Sequence, residues 1–405
     1  MTMSALLYTQ SFSENPIADP IIYGSLSGSG ATTAWQGLDQ NLYLEPGTSW
    51  RSPFFAIDPL GYVKLSFRAK LKSSEPLAGS TGSPYNKNHL RFRSSNPAAT
   101  WNLDPLTAGP YGGDLIGDDV TSLINLSDQW TEQVFFSRAQ ANAVQASLEL
   151  TATDFGYLID DVRIEPVSDR MDVAAWADRV WSQRFYSSDL VEPPQINGFI
   201  SSEQQSRLAR TLSKLQAGQP VRIVLVGDSI VSDLSNSALD VLLERAFPGA
   251  SVSVITAVGR GTGMVQWNPS NSTYPFISSS FNGGALNFNE AIVEQEPDLV
   301  ILGGISTPAN QFGYTAFQSI IDKLRSKSLV DRLGYQPDIL IASGAFGPVA
   351  ASWDPDAKLT EFQNGYRGNL LQIANANNVG FFDLAGSWGN YMLGALNSSD
   401  PLAIN

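Results

Sequence analysis

The chain has 405 residues, of which 43% are apolar and only 16% charged, and its 25 basic against 39 acidic side chains give a formal charge of −14. That balance argues against nucleic acid or anionic lipid as a partner, since those are held by Lys and Arg releasing counterions. Cysteine is absent, which excludes a disulfide framework, a thiol nucleophile and cysteine-ligated zinc together.

The length favours two domains over one. An acidic, hydroxyl-rich surface of low charge suits a secreted protein that meets neutral ligands. The opening "MTMSALLYTQSF" has neither the basic stretch nor the long apolar stretch of a signal peptide. No segment approaches the roughly 18 apolar residues of a membrane span. The chain is therefore expected to be soluble, as a mature form from which an export signal has been removed, with no obligate protein partner.

Residues 1–166 carry short alternating runs: "YVKLSFRAKL", "HLRFRSS", "EQVFFSRA", "ASLELTAT" and "YLIDDVRIEP". Period-2 alternation between Gly, Pro, Asn and Ser clusters predicts half-buried antiparallel strands, hence an all-β jelly-roll sandwich. Residues 167–219 turn helical and read as a connector. "SDRMDVAAWADRVWSQRF" opens on a Ser168 cap, and "SSEQQSRLARTLSKLQAGQP" opens on a Ser201/Gln204 capping box and stops at Gly218 and Pro220.

From residue 220 to 405, "VRIVLV", "SVSVITAV", "DLVILGG", "DILIAS" and "GFFDL" alternate with helical segments. Strands that are apolar on both faces predict a five-stranded parallel sheet, doubly wound in the flavodoxin manner. Ligands of such sheets bind beyond the carboxyl ends of the strands. The unusual stretches fall there: "GDSIVSD", "VGRGTGM", "GGISTP" and "SGAFGP". Ser229 stands at a strand-to-helix turn, where its amide can help hold an oxyanion while Oγ attacks; the same position would also suit a simple helix cap. Gly259, Gly261 and Gly263 let the backbone approach a ligand closely. "GRGTG" could alternatively be a dinucleotide loop, but no acidic residue closes a following strand about 20 residues on. A glycosidase carboxylate pair is also open by composition, though none is placed at the strand ends as Ser229 is.

These blocks resemble the SGNH, or GDSL, hydrolase family over roughly residues 220–405. The set is similar to secreted bacterial carbohydrate-esterase-like members that carry an N-terminal carbohydrate-binding-like sandwich. The resemblance implies that Ser229 is the nucleophile, with Asp228 as the structural acid beside it. It implies Gly261, or failing that Gly259, as the second-block oxyanion donor. In the third block Ile305 stands where the family has asparagine, so Ser306 or Thr307 is left to supply a donor. The family's base is a histidine in a C-terminal Asp-x-x-His motif. Here "DPLAIN" puts Ala403 three residues after Asp400, and the only histidine is His89, in the sandwich. Either Ala403 replaces the histidine or the motif lies beyond Asn405; truncation is the preferred reading.

The expected function is a serine esterase removing acyl, chiefly acetyl, groups from a polysaccharide outside the cell, in the periplasm or at the cell surface, with no cofactor for catalysis. The alternative is a carbohydrate-binding protein with an inactive hydrolase domain. In the sandwich, Trp35, Tyr43, Trp50, Tyr85, Trp101, Tyr111 and Trp130 offer faces on which sugar rings can stack, with Trp35, Trp50 and Trp101 chosen as the binding set. "YLIDDVRI" resembles the last strand of sandwiches that hold a structural Ca²⁺, implying Asp160, Asp161 and Glu14 as ligands. Adjacent residues of a strand face opposite sides, so one of the two aspartates is expected to serve the ion.

Overall fold

Alternation of apolar and polar residues folds the first part of the chain into sheets, and fully apolar runs fold the second. The computed structural model describes residues 8–10, 25–28, 35–36, 41–71, 89–95, 114–115, 128–139, 143–152, 156–185, 206–227, 238–258, 288, 292–303, 314–343 and 367–383. The chain divides into two units, Met1–Ala177 and Asp178–Asn405.

The first unit contains β1 (Tyr8–Gln10), β2 (Ser25–Gly28), β3 (Trp35–Gln36), β4 (Asn41–Leu44), β5 (Thr48–Arg51) and β6 (Phe55–Ala56). It continues with β7 (Tyr62–Leu71), β8 (His89–Ser95), β9 (Asp114–Leu115), β10 (Thr131–Arg138), β11 (Gln145–Ala152) and β12 (Tyr157–Pro166). One antiparallel sheet has seven strands in the order β3-β4-β12-β7-β10-β9, with β1 also on β12. The other has five, β2-β5-β11-β6 with β8 on β11. Val63, Leu65, Phe67 and Ala69 of β7 are buried, and Phe67 stacks on Phe135 at 6.1 Å between ring centroids. On the other face of that sheet, helix α1 (Arg170–Phe185) sets Trp176 against Phe136, 5.4 Å between rings. The indole N–H of Trp176 donates to the Val134 carbonyl at 3.2 Å.

Strand β12 breaks its alternation. Asp160 lies opposite Arg68 and Arg163 opposite Ser66, so Asp161 and Val162 together face Phe67. This is a β-bulge with one extra residue. Val162 is buried and Asp161 takes the left-handed conformation at φ 51°. As a result, Asp160 shares the face of Arg68, and Asp161 reaches the same guanidinium at 3.5 Å. The expectation that the two aspartates face opposite sides is thus corrected: the inserted residue cancels the period of two. An exposed ion pair contributes at most about 1 kcal/mol, against about 1–3 kcal/mol for such a backbone. The pair with Arg68 alone does not account for the bulge.

The second unit is built on β13 (Pro220–Gly227), β14 (Ser251–Val258), β15 (Leu299–Gly303), β16 (Asp338–Ala342) and β17 (Gly380–Phe382). Its helices are α2 (Ala209–Gln216), α3 (Leu239–Ala246), α4 (Tyr314–Leu324), α5 (Lys327–Leu333) and α6 (Arg367–Ala376). The sheet order is β14-β13-β15-β16-β17, and every pair is parallel. Val221, Ile223 and Leu225 pack with Leu208 and Leu215 on one face, while the alternate residues Val224 and Val226 are buried on the other. Leu208 and Leu215 are two helical turns apart, so both point to the sheet. The stretch read as a connector therefore supplies part of the sheet's cover.

At the amino edge of this sheet, Asp298 is 2% exposed and holds several elements together. Its Oδ1 accepts from Arg210 at 3.0 Å and its Oδ2 from Lys214 at 2.6 Å and from the Arg222 amide at 3.1 Å. Its own N–H donates to the Arg222 carbonyl and its carbonyl accepts from the Asp338 N–H, both at 2.8 Å. The Asp338 carboxylate in turn accepts the Thr211 N–H at 2.7 Å. One carboxylate thus ties α2, β13 and β15 together.

Removing one partner of a buried pair costs roughly 3–5 kcal/mol, and less here because Arg210 and Lys214 can regain some solvent. Asp298→Ala is expected to lower stability by about 2–4 kcal/mol, read as a denaturant midpoint; a change within experimental scatter would contradict this role. Asp338 offers a pH test. Burial raises its carboxyl above the ordinary 3.8, only partly countered by the Thr211 amide. A raised folded-state value means its contribution is full below the unfolded value and is lost as pH rises through the raised one. Asp338→Asn, which keeps an oxygen for Thr211, is expected to lose less stability than the native chain between about pH 4 and pH 7. Parallel stability curves for the two proteins would refute it.

Candidate active site

The parallel register brings the carboxyl ends of the strands to one line. Gly227 pairs with Val258 on one side and Gly303 on the other, Gly303 with Ala342, and Ala342 with Phe382. The five strands therefore end on a common edge. The chain reverses its direction of winding between β13 and β15, since β14 lies to one side of β13 and the later strands to the other. That switch point is where doubly wound sheets open a crevice. Asp228 and Ser229 follow Gly227 directly in the sequence. Both lie outside the described residues, as do Gly259, Gly261, Ser306 and Thr307.

Gly303 has a steric reason to be glycine. A Cβ there would stand 2.6 Å from the Ala342 carbonyl oxygen and 2.8 Å from its Cβ. Such contacts would push β15 away from β16 at the edge itself. Beside them, Ser343 is 1% exposed, and its N–H donates to the Phe382 carbonyl at 3.0 Å. Asp383 ends β17 half-buried. Three strand spacings separate its strand from Gly227, about 14 Å. Neither Ser343 nor Asp383 is singled out by the sequence reading. The signal that marks Ser229, a polar residue where an apolar strand ends, applies equally to both.

In the first unit, Trp50 is fully buried. It is expected to stack on sugar but instead fills the sandwich core, because in β5 Thr48 and Trp50 face inward while Ser49 and Arg51 are half-buried. Trp35 belongs to β3, and Trp101 lies outside the described residues. Trp130 is half-buried, with the Arg68 guanidinium 5.1 Å and the Lys70 ammonium 4.9 Å from its ring centroid. His89 begins β8, opposite Thr151.

A calcium shell needs six to eight oxygens. Asp160 accepts the Asp161 N–H at 2.8 Å, and Asp161 faces the Arg68 guanidinium, a cation where a cation would have to bind. Burial raises the Asp160 carboxyl above its ordinary value. Among the described residues no group of three or more His, Asp or Glu could hold a metal ion. The two aspartates thus do not form such a shell by themselves, and Glu14 lies outside the described residues. Among the described residues, no helix is long and apolar enough to cross a membrane.

No family model and no curated protein matches the chain. Solved structures do. A two-domain esterase active on acetylated mannans, crystallised with mannopentaose, aligns at 14% identity and a TM-score of 0.32 over 49% of this chain and 48% of its own, so the match spans about half of that esterase. A family two carbohydrate esterase from Cellvibrio japonicus aligns at 13% identity and a TM-score of 0.24, over 94% of this chain and 88% of its own. A xylan-binding domain from Paenibacillus barcinonensis aligns at 18% identity and a TM-score of 0.23, over 41% of this chain and 97% of its own. At these scores the likenesses carry no conclusion about chemistry.

Proposed function

We propose that this protein is a serine ester hydrolase that removes acyl groups, chiefly acetyl, from a polysaccharide outside the cell. The observation that carries the reading is the aligned carboxyl edge, where Gly227 ends the apolar strand β13 at the switch point and Asp228 and Ser229 come next in the sequence. A serine beyond the carboxyl end of a strand at such a switch point can offer its amide to an oxyanion beside the crevice that receives an ester. The sandwich unit supports a glycan as the carrier of the ester, since half-buried Trp130 offers an aromatic surface.

In this reading Ser229 Oγ attacks the ester carbonyl and loses its proton to a base. The amides of Ser229 and Gly261, with Gly259 and Ser306 as further candidate donors, hold the tetrahedral oxyanion. The C–O bond to the sugar breaks, the sugar oxygen takes the proton, and an acyl-Ser229 remains. Water then adds to that ester, releasing the carboxylic acid and restoring the hydroxyl. No imidazole of the second unit is present to act as base, because His89 is the only histidine in these 405 residues. A calcium ion held by Asp160 with Glu14 belongs to the proposal as a structural element only.

Without its base, a serine site retains only about 10³- to 10⁴-fold catalysis over water. This 405-residue chain is therefore expected to hydrolyse p-nitrophenyl acetate slowly, at a rate lost in Ser229→Ala and unchanged in His89→Ala. Release of p-nitrophenol that survives Ser229→Ala at full rate would overturn the assignment.

A further inference from the structure

The outer face of the seven-stranded sheet carries a groove of about 360 Å³, lined in part by Arg68, Trp130, Glu132, Asp161 and Arg163. We propose that this groove binds a small zwitterion, a short free peptide whose terminal ammonium meets Glu132 and whose terminal carboxylate meets Arg163. The site uses residues of the first unit alone, goes beyond the hydrolase reading and does not rest on Ser229.

Two charges of opposite sign stand at opposite corners of this groove. Glu132 and Asp160 lie opposite Arg68, one on each side of β7, and Arg163 lies opposite Ser66 two residues further along. Residues directly opposite one another share a face, so these all belong to the outer one. The Arg68 guanidinium is already engaged, by Asp161 at 3.5 Å and by the Trp130 ring at 5.1 Å. Glu132 and Arg163 are both exposed and make no hydrogen bond or ion pair among the described residues. Two strand spacings and two residues along the strand set their Cα atoms about 12 Å apart, with the Arg68–Asp161 pair between them. That inner pair depends on the bulge, which holds Asp161 on this face at a left-handed φ of 51°. Strained non-glycine backbone that its own contacts do not explain is found preferentially at ligand sites.

The distribution of charge selects the ligand. Arg68 and Arg163 balance Glu132 and Asp161, so the lining is neutral in a chain of formal charge −14, and its signs are separated in space. A lone anion would be drawn to Arg163 and repelled by Glu132 and Asp161, and a lone cation the reverse. An apolar molecule would cover Glu132 and Arg163 without pairing either, which is costly. A neutral polar molecule leaves both without a counter-charge. A zwitterion brings an ammonium to the carboxylate and a carboxylate to the guanidinium, which takes it in two parallel hydrogen bonds. Spacing then selects among zwitterions. A single amino acid holds its two charges too close together to serve both corners. Two or three extended residues cover about 7–10 Å, enough to bridge them. The groove volume lies just above the roughly 300 Å³ at which small-ligand pockets begin, and so suits a chain of that length.

The test is ¹⁹F NMR on the full chain labelled with 5-fluorotryptophan, with the Trp130 signal assigned by its loss in Trp130→Phe. The probes are triglycine, N-acetyl-triglycine without the ammonium, triglycinamide without the carboxylate, and the neutral glycan xylopentaose. Triglycine is expected to move the Trp130 signal saturably with a Kd of about 1 mM. Blocking either terminus is expected to weaken binding about three- to fivefold, the worth of one exposed ion pair. Glu132→Gln is expected to weaken triglycine by the same factor and leave N-acetyl-triglycine unchanged, since that ligand has no ammonium to lose. Arg163→Gln is expected to weaken triglycine likewise and leave triglycinamide unchanged. Both variants change exposed side chains, and the other tryptophan signals report that the fold is retained. A Trp130 signal unmoved by triglycine to about 10 mM, equal binding of free and blocked peptides, or a response to xylopentaose alone would each overturn the proposal. The triglycine titration is expected to be the same in Ser229→Ala, so its outcome is distinguishable from that of the hydrolase test.

Discussion

A parallel strand that is buried on both faces can place polar side chains only at its ends. That constraint governs the second unit. Val221 to Val226 of β13 give no room for a hydrophilic group except Arg222, near the strand's start. The polar chemistry is therefore pushed to the two edges of the sheet. At the amino edge Asp298 gathers Arg210, Lys214 and the Arg222 amide into one fully bonded carboxylate. At the carboxyl edge the five strand ends align, and the residues next in sequence include the Gly, Ser and Asp of "GDSIVSD", "GRGTG" and "GGIST". The amino edge thereby locks the cover helix to the sheet. The hydrophobic interior stabilises both arrangements by allowing no others.

The sandwich obeys the opposite rule, since each of its strands has one face to spend on solvent or on a partner. The outer face of the seven-stranded sheet is divided. Toward α1 it is apolar, with Val134 and Phe136 engaged by Trp176. Away from α1 it is charged, and there the bulge in β12 sets Asp161 beside Arg68. A regular strand would have been simpler to build from Asp160 to Arg163. The departure concentrates side chains of both signs around one indole.

Much of this is legible in the residues themselves. Period-2 runs marked the sandwich strands, and unbroken Val, Ile and Leu runs marked the parallel sheet, because each pattern reflects how many faces a strand buries. What failed depends on contacts distant in sequence. Asp298 reads as a solvated acid before "LVILGG" until α2 brings Arg210 and Lys214 to it. Trp50 sits in "TSWR", where neither alternating set is distinctly apolar, so the inward face could not be chosen. The bulge at Asp161 has no glycine to announce it. Ser229 stands out in the sequence because the polar residue comes where an apolar strand ends, but it lies outside the described residues; Asp383 shares that signal without a motif around it.

The central claim is that the carboxyl edge of the parallel sheet presents a serine competent to accept an acyl group. The most direct measurement is peptide mass spectrometry of the chain after incubation with p-nitrophenyl acetate. The missing imidazole slows both steps, but p-nitrophenolate leaves without being protonated whereas deacylation needs an activated water, so an acetyl group is expected to accumulate on Ser229 and to be absent from that peptide in Ser229→Ala. Acetylation confined to lysine side chains, with the Ser229 peptide unmodified, would contradict the account.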